Sequence, residues 1–258
     1  MALGRREDSK VPQRITALFW LTKLVTTAMG EATSDALVKQ FHPVPAVLLG
    51  FVVFLGVLAV QFWVRRFVTW IYWSAVVMVA VFGTMVADVL HLQFGVPYAA
   101  STTLFAIVLA AVFVTWNAVE KTLSIHSITT PRRELFYWAT VSATFALGTA
   151  AGDLLATPLH LGYFSAGLVF IGLIAIPALG YRFFGLNAVV AFWFAYVVTR
   201  PIGASYADWM SKGKAISGLG WGDTPVALGL TAVVVVLVVV MSILRPDLPR
   251  AGEPAGGR

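Results

Sequence analysis

One pattern recurs four times and governs what this chain can become: a Trp, a Gly ten residues on, then a small residue followed by Asp, fifteen residues after the Trp. The copies are Trp20, Gly30, Ser34 and Asp35; Trp73, Gly83, Ala87 and Asp88; Trp138, Gly148, Gly152 and Asp153; and Trp193, Gly203, Ala207 and Asp208. All four lie in strongly apolar sequence. An ionisable side chain inside a membrane is costly and marks function by default. Four of them in register point to one shared site.

The chain has 258 residues, of which 59% are hydrophobic and only 12% charged, a balance outside the range of soluble globular domains. It has no cysteine, which excludes disulfides and thiolate metal sites. The net charge of +6 sits in short clusters between apolar stretches rather than along a stripe, so nucleic acid is not the expected partner. A membrane span takes about 20 mostly apolar residues. Eight such spans are read, at 15–37, 45–64, 67–90, 98–119, 135–156, 162–181, 187–209 and 224–244. Strands of a barrel are about half this length and alternate in polarity, so the spans are helices. The first is expected to be a retained helix rather than a cleaved signal, because it carries Lys23, Glu31 and Asp35.

The expected fold class is therefore all-α: a polytopic membrane protein with eight transmembrane helices, arranged as four parallel, same-orientation helical hairpins. The hairpins run over about 15–66, 67–130, 131–186 and 187–245, within one domain at 15–245. The tails are 1–14 and 246–258, expected to be mobile over about 1–13 and 246–258. With the N-terminus inside, the inner segments hold Arg5, Arg6, Lys10, Arg14, Arg65, Arg66, Lys121, Arg132, Arg133, Arg182, Arg245, Arg250 and Arg258, against Lys39, Lys212 and Lys214 outside. Both termini are therefore expected in the cytoplasm. A second correspondence places Trp63, Trp116 and Tyr181 each 28 residues after an Asp. Because each unit has two spans, every copy enters the membrane in the same direction.

Equal spacing puts the four Asp at equal depth, roughly 22 Å along the helix from their Trp. The Trp residues then suit the inner interfacial belt, and the Asp residues fall in the outer part of the membrane. Gly30/Ser34, Gly83/Ala87, Gly148/Gly152 and Gly203/Ala207 are four apart, the small-xxx-small spacing that lets helices approach closely. The first, third, fifth and seventh helices are thus expected at the centre, as a ring or as two pairs. Four residues before each Asp stand Glu31, Thr84, Thr149 and Ala204, on the same helix side as the acid, which predicts a second oxygen layer beneath the carboxylates.

Oxygen ligands without thiolates suit hard cations such as Mn²⁺ and Mg²⁺. His42 and His160, seven residues after their Asp, and His91, three after Asp88, are candidate ligands at the outer mouth. Clustered carboxylates repel one another, and a metal entering among them displaces protons, so proton coupling is expected. Arg200 lies about 12 Å deeper along its helix than Asp208 and precedes the helix-weakening Pro201. Glu31 is its best-placed partner in depth, as a gate or counter-charge. Lys23 lies deeper still, where it is expected to snorkel toward the inner surface.

Each residue also has a plainer reading. The acids can be structural hydrogen-bond acceptors, the Trp residues interfacial anchors, the histidines loop residues, and the threonines bonded back to their own helix. No glycine-rich phosphate loop, HExxH zinc motif or nucleophile elbow is present, so no enzyme is expected.

The motif stretches Met29–Asp35, Phe82–Asp88, Leu147–Asp153 and Arg200–Asp208, with the loop Glu120–Ile128, resemble a bacterial family of multi-span proteins described only as uncharacterised and membrane-anchored. The resemblance covers about residues 11–245 and implies a bacterial inner-membrane protein. It carries no activity. From the residues, the expected function is transport of a hard divalent cation, Mn²⁺ first and Mg²⁺ or another oxygen-preferring metal next, held by Asp35, Asp88, Asp153 and Asp208 with Glu31, Thr84 and Thr149 beneath. Proton-coupled export is preferred over uptake. Its partners are the bilayer, the metal and protons, with no tightly bound cofactor. The alternatives are a passive cation channel with a carboxylate ring or a non-transport scaffold with structural Asp.

Overall fold

The structure, a computed structural model, describes residues 9–246. Arg5, Arg6, Arg250, Arg258 and most of the two tails, which entered the charge count above, lie outside the described residues. Eight long helices follow in order: α1 (Ala17–Phe41), α2 (Pro43–Trp63), α3 (Thr69–Asp88), α4 (Tyr98–Glu120), α5 (Pro131–Ala156), α6 (Gly162–Phe183), α7 (Ala188–Ser211) and α8 (Asp223–Leu244). One π-helical turn, Val89–Gln93, extends α3. Seven of the eight are long and apolar enough to cross a membrane. The eighth is α1, whose Lys23, Glu31, Asp35 and Lys39 lower its hydropathy.

The boundaries follow local chemistry. Thr16 caps α1 by accepting the amide of Phe19, and Thr130 caps α5 by accepting that of Arg133, as short hydroxyl side chains do at helix starts. Pro43 and Pro131 open α2 and α5, where a missing N–H costs nothing. His42, with φ of 64°, separates α1 from α2 by a single residue. Pro177 and Pro201 sit inside α6 and α7, and both helices continue past them.

The four motif helices form a closed ring: α1 touches α3 and α7, and α5 touches α3 and α7. The ring has one repeating contact. Each motif Gly, ten residues after its Trp, receives the residue seven after the Trp of the next motif helix: Gly30 meets Ala80, Gly83 meets Phe145, Gly148 meets Arg200 and Gly203 meets Thr27. The last contact returns α7 to α1, so the sequence repeat becomes a pseudo-fourfold bundle. A Cβ on Gly83 would stand 2.8 Å from Phe145 Cβ, and one on Gly203 2.8 Å from the Ala28 amide. Glycine is thus the residue these crossings admit.

The even helices lie outside. About a fifth of each of their most apolar windows is buried, 17–22%, against 50–61% for α3, α5 and α7. They do not pack mainly within their own hairpins. α2 packs chiefly on α3, α4 on α5, α6 on α7 and α8 on α1. Every outer helix thus bridges to the following unit, and α8 closes the circle.

Four-residue steps along each motif helix generate layers. From the residue before each Trp these are Phe19, Tyr72, Tyr137 and Phe192; Lys23, Val76, Val141 and Tyr196; Thr27, Ala80, Phe145 and Arg200; Glu31, Thr84, Thr149 and Ala204; and the four Asp. An i, i+4 row is one of the two ridges by which helices pack. Cross-helix contacts place this row inside the ring. Tyr72 and Tyr137 share a hydroxyl–hydroxyl hydrogen bond of 2.6 Å, Lys23 Nζ sits 3.9 Å over the Tyr196 ring, and Arg200 lies 5.2 Å over Phe145.

The Trp end is an aromatic core, which corrects the interfacial-belt expectation for three of the four motif tryptophans, while Trp20 packs half-buried against it. Trp73, Trp138 and Trp193 are at most 5% exposed, and Trp193 donates to the Leu123 carbonyl at 2.8 Å. The 28-residue correspondence likewise has no common role: Trp116 is buried while Trp63 is 82% exposed. The N-terminal approach belongs to this end too. Residues 9–13, expected to be part of a mobile tail, are packed: Val11 is buried in the aromatic cluster, and the Phe67 amide donates to the Ser9 carbonyl at 2.9 Å.

Candidate functional site

Glu31 projects from α1, Thr84 from α3 and Thr149 from α5, and Arg200 reaches them from α7 one layer lower. The guanidinium donates to Glu31 Oε2 at 2.6 Å and to Thr149 Oγ1 at 2.7 Å, and it also bonds Thr84 Oγ1. Its other terminal nitrogen donates to the Thr27 carbonyl at 2.9 Å. Thr84 Oγ1 lies 3.2 Å and Thr149 Oγ1 3.3 Å from the same Glu31 oxygen. All four motif helices are therefore tied at one point, and Arg200 is wholly buried there. This corrects the reading of Glu31, Thr84 and Thr149 as a second ligand layer. A protein cation already fills the space between their oxygens, because a buried guanidinium needs several acceptors.

Lys23 does not snorkel. Its amine is fully buried, donates to Thr199 Oγ1 at 2.7 Å and lies over the rings of Tyr196 and Phe145. The long stem of a lysine can turn outward, but here the aromatic layer below closes that route.

The four Asp lie above the Arg200 layer. Asp88 is within Coulombic reach of Glu31, Asp35, Asp153 and Asp208, so the repeat-related acids face one region. They are not equivalent. Lys212, directly after α7, pairs with Asp35 and lies 3.5 Å from Asp208 Oδ1 and 3.7 Å from Asp223 Oδ1. Asp223, at the start of α8, also holds Lys39. Asp88 and Asp153, on the adjacent helices α3 and α5, have no hydrogen-bond or ion-pair partner among the described residues. One half of the ring is ion-paired and the other half is not.

Among the described residues, no three His, Cys, Asp or Glu side chains are close enough to hold a metal ion as they stand. The histidines in particular are not gathered, which corrects their placement as outer-mouth ligands. His42 and His160 are exposed in connections, each with positive φ. His91 stacks on Tyr98 with centroids 3.5 Å apart, and its Nδ1 lies 2.8 Å from the Val96 carbonyl oxygen. Tyr98 and Tyr163 also lie toward the Asp end, since the charges of Asp153 and Asp208 reach both.

Lys212 and Asp223 were not singled out from sequence, yet a signal exists. Four residues after each Asp stand Lys39, Leu92, Thr157 and Lys212. The copies with a lysine there are those whose Asp is paired.

The repeat itself is a known one. Residues 18–67, 71–122, 136–185 and 191–246 match the domain described as Repeat of Unknown Function (DUF347). The chain belongs to the DUF347 repeat family. Each matched DUF347 segment contains one motif helix and the outer helix after it, so the family's sequence unit is offset by one helix from the pairs that pack most closely. No curated protein and no solved structure matches the chain significantly.

Proposed function

We propose that this DUF347 protein transports a hard divalent cation, Mn²⁺ first and Mg²⁺ next, along the axis of its four motif helices. The single observation that carries the reading is the unpaired half of the acidic layer. Asp88 and Asp153 have no hydrogen-bond or ion-pair partner among the described residues, while Asp35 and Asp208 share Lys212. Unpaired carboxylates in apolar surroundings are expensive, and their oxygen-only donor set suits Mn²⁺ or Mg²⁺.

Below the mouth the axis is closed by the Arg200 network, the Lys23 layer and the aromatic end. A passive channel needs a continuous low-barrier path, so a carrier suits this geometry better than a channel. In the transport cycle a cation binds at Asp88 and Asp153, draws in the other two acids and loosens the arginine's hold on Glu31. Protons released from the acids move in the opposite direction. We place the protein in a bacterial inner membrane with both termini in the cytoplasm, so that the Asp end faces outward. The charge bias of the connecting segments supports this orientation. A purely structural role for the acids is disfavoured by the same two unpaired carboxylates, since a scaffold gains nothing from leaving them so.

The test is flux of Mn²⁺ into proteoliposomes containing the whole chain, with internal pH followed in parallel. Asp88→Asn and Asp153→Asn should each lower flux tenfold or more, in line with the ~1.4 kcal/mol per decade of an equilibrium or rate. Flux unchanged in all four single Asp→Asn variants would remove the acids from any transport site.

A further inference from the structure

The fourth copy departs from the others in its outer connection. α1 and α2 are separated by one residue, whereas α7 and α8 are joined by the eleven residues 212–222. That connection folds back on the end of α7 through consecutive amides. Leu219 donates to the Trp209 carbonyl at 2.7 Å, Gly220 to Lys212 at 2.7 Å, Trp221 to Met210 at 3.1 Å and Gly222 to Ser211 at 3.0 Å. The last carbonyls of the helix, which otherwise go unpartnered, are thereby satisfied. Gly218 is pressed against the backbone of Lys212: an added Cβ would stand 3.1 Å from the Lys212 Cα. The loop thus fixes the root of one side chain, and that side chain turns inward over the acids with only 18% of it exposed.

Lys212 faces Asp35 from α1, Asp208 from its own helix and Asp223 from α8, with Lys39 of α1 on the far side of Asp223. Asp153 of α5 and Tyr163 of α6 are also within its Coulombic reach, without a direct ion pair. Three carboxylates surround the ammonium as direct ion-pair partners, so it leaves the acids by moving. Two features favour motion of this kind. The tether is a flexible four-carbon stem, and the stem spans from a fixed root.

Resting on the transport reading above, we propose that Lys212 is a tethered resident cation: it occupies the Asp35–Asp208 half of the acidic layer and competes with the transported ion, so that it sets the site's affinity. An incoming divalent ion lands first at Asp88 and Asp153 and acquires the remaining oxygens as the ammonium withdraws toward Asp223. Asp223 is then a parking site, a role that its position outside the fourfold pattern allows. The arrangement also favours a double charge, since a monovalent ion offers no electrostatic advantage over the ammonium it must displace.

The probe is Mn²⁺ alone, with binding to the purified full chain in lipid nanodiscs followed by the electron spin resonance of the free ion. Lys212→Met keeps the apolar stem and removes the charge, and should tighten Mn²⁺ binding about tenfold or more, a modest fraction of what a unit charge exerts at contact distance. Lys212→Arg should bind as the parent does or more weakly. Unchanged or weaker binding by Lys212→Met, with the parent still binding through Asp88 and Asp153, overturns the resident-cation role and leaves the transport reading standing. No Mn²⁺ bound by either form overturns both. A second measurement needs no substitution. A zero-length carbodiimide should join Lys212 to Asp35 in the parent chain, detected by mass spectrometry, and saturating Mn²⁺ should suppress the cross-link. A cross-link yield indifferent to bound Mn²⁺ would refute displacement.

Discussion

Arg200 is the residue on which the interior depends most. Its guanidinium is fully buried and bonded to side chains or carbonyls from α1, α3 and α5, while its Nε finds no partner. Replacing one member of a buried pair leaves the other charge uncompensated, which costs about 3–5 kcal/mol, whereas removing both with apolar residues of similar size is often close to neutral. Glu31→Gln should therefore lower the unfolding free energy of the detergent-purified protein by roughly 3 kcal/mol. The double variant Glu31→Leu with Arg200→Met should recover much of that loss. Equal destabilisation in the single and double variants, measured by thermal unfolding, would mean that the pair is not energetically coupled. Lys23 extends the same lesson. Its buried amine has a hydroxyl and two aromatic faces for company, an environment no spacing rule could reveal, because it is built from residues of two other helices.

At the scale of the element, the motif glycines do the work that the spacing suggested, and the structure adds which surface each one meets. Gly→Ala in an exposed helix interior gains about 1 kcal/mol from propensity, while overpacking a tight contact costs about 1–3 kcal/mol. At Gly203 the added methyl would meet the Ala28 backbone amide at 2.8 Å, which cannot rotate away, so Gly203→Ala should destabilise. At Gly56 and Gly172 nothing lies within 4 Å of such a methyl, and the same change there should be neutral or stabilising. Thermal unfolding of the three variants side by side decides the matter. The helices themselves were legible: each read span meets its helix to within a few residues, because about 20 apolar residues in a row leave a chain few alternatives. The depth match of Arg200 and Glu31 was legible too, from rise per residue alone. Three things were hidden. The tryptophans read as interfacial anchors because composition cannot tell a bundle's aromatic core from a membrane boundary. The packing of each outer helix on the following unit depends on ring closure, which is a property of all four copies together. Lys212 was passed over as an outer-loop charge, although its repeat position, shared with Lys39 and vacant in the copies of Asp88 and Asp153, was there to be read.

The whole molecule is a ring whose two ends differ. At the Asp end the Lys212 side chain covers the Asp35–Asp208 half, and at the Trp end a strap of main chain crosses the ring. Lys10 Nζ donates to Glu134 Oε2 at 2.7 Å and to the Phe62 carbonyl at 2.8 Å. Gln61 bonds Glu134 Oε1 at 3.0 Å and the Lys10 carbonyl at 3.3 Å. Val11, next to Lys10, is 1% exposed among the aromatic residues, and His126 Nε2 lies 3.0 Å from the Gln13 carbonyl oxygen. The strap therefore joins the end of α2, the start of α5 and the loop after α4 across the mouth of the ring. Glu134 is completely buried, so its charge relies on Lys10. If both arrangements belong to one carrier, opening the Trp end requires the strap to leave, and the cost of leaving is set by that ion pair and by Val11. Lys10→Met should strip Glu134 of its counter-charge at a cost of roughly 3 kcal/mol, and Val11→Ala should remove about 1–2 kcal/mol of apolar burial. Because Trp73, Trp138 and Trp193 lie directly beneath, release of the strap should also make their fluorescence accessible to acrylamide. Both variants should therefore show stronger quenching than the parent at a temperature where all remain folded. Quenching equal to the parent's, despite lowered stability, would show that the strap is a fixed brace and that the Trp end opens elsewhere or not at all.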